Sequence, residues 1–100
     1  MNNKMAGQPE IVIRLLDLDG TRLAKAERDL HRRLEALNIK AKILPLACGL
    51  EIARQGFTDN TPALLMNQYT CVSGKELTEE VLDTFCQQLV TWIARHSSAR

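Results

Sequence analysis

Glu10-Ile11-Val12-Ile13-Arg14-Leu15-Leu16, followed by the polar turn Asp17-Leu18-Asp19-Gly20-Thr21, decides how this chain folds. The first segment is a β-branched, apolar run bounded by Pro9 and Asp17, which predicts a strand over 10–16. Side chains alternate across a strand, so Ile11, Ile13 and Leu15 share one face and Val12, Arg14 and Leu16 the other. Beyond the turn, Leu23, Ala26, Leu30, Leu34 and Leu37 recur at spacings of three and four, which predicts a helix over 21–37. Asp19 or Thr21 caps its start, and Asn38 stops it. Its other face carries Arg22, Lys25, Arg28, Asp29, Arg32, Arg33 and Glu35, and reads as solvated. Residues 39–46 (IKAKILPL) predict a second strand, and Pro45 assigns it to a sheet edge because proline donates no ladder hydrogen bond. A strand, helix and strand of this length imply a parallel pair joined by a right-handed crossover.

Downstream, residues 49–55 predict a short helix that Gly56 ends. Residues 63–67 and 69–73 predict two antiparallel strands around Asn67-Gln68, where Asn accommodates a positive φ. Thr78 caps a last helix over 79–95, whose stripe is Leu82, Phe85, Leu89, Trp92 and Ile93. The result is an α/β sandwich, β-α-β-α-β-β-α. The two long helices belong on the Ile11/Ile13/Leu15 face. The short helix covers only part of the other, leaving Arg14 a route to water.

With 100 residues the chain has room for one domain, expected over 10–96 behind a loose tail at 1–9. Hydrophobic residues make up 45% and charged residues 25%, a balance that excludes a disordered chain. A net charge of +1 gives no electrostatic case for nucleic acid. No apolar run opens the chain and none is long enough to span a bilayer, so the expectation is a cytoplasmic protein without a secretory signal or membrane partner. Cys48, Cys71 and Cys86 are odd in number and widely spaced, which predicts neither a disulfide framework nor a zinc site. No cofactor or metal is called for.

Three further segments carry a resemblance. Glu51-Ile52-Ala53-Arg54-Gln55-Gly56, Thr61-Pro62-Ala63-Leu64-Leu65 and Val72-Ser73-Gly74-Lys75 occur in the order and at the spacing found in small thioredoxin-like redox disulfide proteins. From Glu10 to about Leu89 the chain resembles that family. The resemblance implies a thioredoxin-like four-stranded mixed sheet in the order 2-1-3-4, and a Thr61–Pro62 peptide that is typically cis. It also implies a CxxC pair at the turn into the first helix. That position falls on Gly20-Thr21-Arg22-Leu23, which contains no thiol. Disulfide exchange needs an attacking thiolate and a resolving thiol, so dithiol activity is not expected.

The leading expectation is therefore a redox-inactive, thioredoxin-like binding or regulatory domain for a protein or peptide partner. Its binding residues would be Asp19, Gly20, Thr21, Arg22, Cys48, Asn60, Thr61 and Pro62, gathered on one rim of the sheet. An extended segment held there by backbone hydrogen bonds needs no cysteine. Arg22 and Asp19 would offer that partner opposite charges. A second reading is a monothiol oxidoreductase or thiol carrier using Cys48, which shares the rim and precedes a helix N-terminus. Against it stands Cys48 as a small, partly buried packing residue. A third reading takes Asp17-Leu18-Asp19-Gly20-Thr21 as the DxDGT signature of haloacid dehalogenase-like phosphatases, with Asp17 as nucleophile and magnesium nearby. For the later Ser/Thr, Lys and acidic pair of those enzymes the only candidates are Lys75 and scattered acids, Asp59 precedes Asn60 rather than another acid, and the chain is too short for that fold's core; the alternative is a polar turn and helix cap. Cys71 and Cys86 are expected to pack, and His31 and His96 to face solvent.

Overall fold

The computed structural model describes residues 9–96; the expected tail, apart from Pro9, lies outside them. The elements are β1 (Val12–Leu16), α1 (Gly20–Ala36), β2 (Lys42–Leu46), α2 (Gly49–Arg54), β3 (Ala63–Met66), β4 (Tyr69–Ser73) and α3 (Glu79–His96). They form an α/β fold with one four-stranded mixed sheet in the order β2-β1-β3-β4. β1 runs parallel to β2 and antiparallel to β3, and β3 pairs antiparallel with β4. The Pro45 strand lies at an edge, opposite Leu15 in register. None of the described helices is long and apolar enough to cross a membrane.

Alternation along β1 sorts the core as the sequence requires. Ile11, Ile13 and Leu15 pack with Leu23, Leu30 and Leu34 of α1 and with Leu82, Phe85 and Leu89 of α3. On the other face Leu16, Ala63 and Leu65 pack with Ile52 of α2, flanked by Leu46 and Phe57. Arg14, on that second face, does not simply reach for water: its Nη1 donates to the Asn67 carbonyl at 3.0 Å.

The expected helix stops form by backbone geometry. Asn38 takes φ 60°, its N–H donates to Glu35 O at 3.0 Å, and the N–H of Ile39 donates to Leu34 O at 2.9 Å. This double closure satisfies the last carbonyls of α1. It also spends the backbone of Ile39 on the helix, so β2 begins at Lys42 rather than at 39. Gly56 (φ 82°) and Phe57 close α2 in the same way.

Asn67 also takes positive φ and ties the β3–β4 turn to β1. Its Oδ1 accepts from Val12 N at 2.9 Å, and its own N–H donates to Val12 O at 2.7 Å. Opposite β3, Leu64 pairs with Val72 and Leu65 with Thr70, leaving Cys71 as the extra residue of a bulge. Cys71 is exposed there, contrary to the packing role expected of it, whereas Cys86 is buried in the α3 stripe.

The polar face of α1 is not uniformly solvated. Asp29 is only 6% exposed, covered by Lys25 (2.8 Å) and Arg32 (2.5 Å). The Lys25 ammonium, reinforced by Arg32 and Arg33, outweighs burial and lowers the Asp29 pKa. Arg33 crosses to α3, with Nε 2.7 Å from Asp83 Oδ1. Both residues were expected on the solvated face.

Candidate functional site

In register, Leu16 has Leu46 on one side and Ala63 on the other. The chain leaves β1 and β2, and enters β3, at that single rim. Asp17 N donates across it to Leu46 O at 3.1 Å. The far edge joins too: Gly74 N donates to Asn60 O at 2.8 Å and to Pro62 O at 2.9 Å. The topology thus places Asp19–Arg22, Cys48–Gly49 and Asn60–Pro62 on one rim. Asp19, Gly20, Thr21, Arg22, Cys48 and Asn60 are exposed, and Thr61 is half-buried. Pro62 is buried, so it shapes the rim from beneath rather than offering contact surface. The Thr61–Pro62 peptide is cis.

Asp17 is the buried charge of this rim, 2% exposed. Arg22 holds it with two bonds, Nε to Oδ2 at 2.7 Å and Nη2 to Oδ1 at 2.8 Å, and Asp19 N adds a third to Oδ1 at 3.0 Å. The guanidinium hydrogen bond outweighs the cost of burial and holds the Asp17 carboxyl below its usual range; the Arg22 pKa rises correspondingly. Asp19 caps α1 by accepting from Arg22 N at 3.1 Å. Arg22, half-exposed, therefore reaches the surface already paired to Asp17, a partner that the expectation of opposite charges at Arg22 and Asp19 did not include.

This geometry bears on the phosphatase signature. Asp17 is buried and both its oxygens accept hydrogen bonds, two of them from a guanidinium, which lowers the nucleophilicity of the carboxylate and its access to a substrate. The signature also implies a magnesium ion, but no group of three or more His, Cys, Asp or Glu side chains suited to a metal exists among the described residues. The residues present do not fit that ion.

Cys48 is exposed at the N-cap of α2, where its side chain makes no capping bond. It is not the partly buried packing residue weighed against a reactive thiol. His31 is exposed, 3.5 Å from Glu35. His96 is also exposed, with its ring stacked on Trp92 at 4.5 Å.

Two rim residues had no place in the sequence reading. Leu18 is 57% exposed and Leu50 66% exposed, large apolar side chains left in water. Leu18 Cδ2 lies 3.5 Å from where a side chain on Gly49 would begin, so the β1 and β2 exits touch. Their signal in the sequence was only partial. Leu18 interrupts two aspartates, and Leu50 lies two helical positions from Ile52, roughly 200° around the helix from the buried side. No family model, curated protein or solved structure matches this chain.

Proposed function

We propose that this chain is a thioredoxin-like domain without a redox pair, and that it binds an extended segment of a partner protein at the rim. The observation carrying this reading is the placement of exposed Leu18 and Leu50 where three loops converge. Exposed apolar groups gathered beside polar backbone suit a partner that docks one apolar side chain and runs its main chain past Thr61. Gly20-Thr21-Arg22-Leu23 supports a binding rather than a dithiol role, because the turn holds no thiol. The Asp17–Arg22 pair supports a rigid platform, since it fixes the β1 exit to the first turn of α1. Three unpaired thiols suit a reducing cytoplasm.

A second reading keeps Cys48 as a lone functional thiol, favoured by its exposure on the same rim. One comparison separates the two. Cys48→Ser leaves peptide binding intact if the domain is a binding module, whereas Leu18→Asp and Leu50→Asp each weaken it at least tenfold. Loss of binding in Cys48→Ser alone would favour the thiol.

A further inference from the structure

We propose that the outward face of α3 pairs with the same face of a second copy of this chain, antiparallel about a two-fold axis between Gln87 and Gln88. α3 buries Leu82, Phe85, Cys86 and Leu89 against the sheet. The opposite stripe is Glu80, Thr84, Gln87, Gln88, Thr91 and Arg95, all exposed. From Thr84 to Ala94 the helix contains no charged residue. Interface centres are depleted of charge in this way, whereas the exposed face of α1 carries Arg22, Lys25, Arg28 and Arg32.

The stripe is complementary to its own reversal. The two-fold axis sets Glu80 opposite Arg95, Thr84 opposite Thr91 and Gln87 opposite Gln88. An isologous contact requires this pairing of each position with its mirror. It creates two Glu80–Arg95 ion pairs and lets the central amides and hydroxyls bond across the axis. Within one copy, Arg33 already holds Asp83, and Lys25 holds Asp29. Glu80 and Arg95 form no ion pair among the described residues. The two helix dipoles also oppose favourably in this arrangement.

The surroundings of α3 suit a helix ridge. A hollow of about 620 Å³ lies between α3 and α1, lined in part by Leu37, Cys86 and Val90. Leu37 is 46% and Val90 44% exposed there. Another hollow, of about 500 Å³, lies between α3 and β4. The stripe is about 22 Å long at ~1.5 Å per residue, and its flanking hollows accept side chains from the facing ridge.

Sedimentation of the full chain over a concentration series tests the pairing. The expected result is a monomer–dimer equilibrium that weakens with added salt. Glu80→Arg and Arg95→Glu each raise the dissociation constant at least tenfold, because each turns two peripheral ion pairs into like-charge contacts. Combining both changes in one chain, or mixing the two single variants, restores the pairs and the dimer. Circular dichroism checks that each variant remains helical. The salt series on the unaltered chain stands even if a variant fails to fold. A monomer up to about 1 mM, the weak end of specific association, would overturn the proposal. So would a dimer indifferent to salt and to both charge reversals.

Discussion

Arg22 grips Asp17 through two nearly equal bonds, 2.7 Å and 2.8 Å, one to each carboxylate oxygen. Paired hydrogen bonds of this kind fix orientation as well as charge. The contact converts Asp17-Leu18-Asp19-Gly20-Thr21 into a strut joining β1 to α1.

It follows that the purified protein hydrolyses no aryl phosphate with magnesium, and that Asp17→Asn removes no activity. A colorimetric phosphatase assay of both proteins checks this. Magnesium-dependent turnover lost in the variant would restore the phosphatase reading.

Acid should unfold the protein partly through Asp17 and Asp29. Cationic partners lower the pKa of each below its unfolded value of about 3.9. A lowered folded pKa gives stability that is present above the unfolded value and lost as pH falls through the folded one. Urea unfolding at successive pH values should show a plateau near neutrality and a fall below about pH 4. Asp17→Asn should be less stable at pH 7 and have a shallower acid limb. An acid limb of unchanged steepness would remove Asp17 from the account.

Thiol alkylation of the folded protein should modify Cys48 and spare Cys86 until denaturant is added, because Cys86 is buried. Cys71 is exposed at its bulge, but partial burial pushes its thiol pKa up, so it should react more slowly than a free small thiol at neutral pH. Mass spectrometry of timed samples reads the order. With no CxxC in the first turn of α1, an insulin-reduction assay should give no turnover beyond the reductant blank.

Asn67→Ala should cost roughly 1–3 kcal/mol in chemical denaturation, since it strips the acceptor from Val12 N and places alanine at φ 56°. Asn67→Gly should cost less, because glycine tolerates that φ even though the side-chain bond is lost. Equal losses would mean that backbone conformation contributes nothing at this turn.

The local devices of the fold were legible because each is written in adjacent residues. Asn38, Gly56 and Asn67 are residues that tolerate positive φ, and each stands where a helix or strand must stop. Asp19 and Thr78 cap because their oxygens lie within one turn of free N–H groups. What depends on two distant elements was not legible. Arg33 lies on the outer arc of α1 by periodicity, and only the placement of α3 beside it turns it towards Asp83. Asp29 is buried because Lys25 and Arg32 fold over it, which spacing permits but does not require. The Cys71 bulge is a property of β3 and β4 paired, not of either strand. On the rim, topology delivered the three loops correctly. The exposure of Leu18 and Leu50 was not legible, because only the packed structure distinguishes an apolar residue left in water from one in the core.

Selection of an extended-peptide library on the isotope-labelled protein, followed by amide shift mapping, tests the rim most directly. The account predicts peptides carrying an apolar anchor, with shifts concentrated at 18–22, 47–50 and 60–61. Leu18→Asp or Leu50→Asp should weaken them at least tenfold, about 1.4 kcal/mol. Arg28→Glu on the exposed outer face of α1 should change nothing, and is a cleaner control than Arg33, which holds α3. Shifts confined to β4 or α3, or equal weakening by all three substitutions, would contradict the assignment of the rim as the binding site.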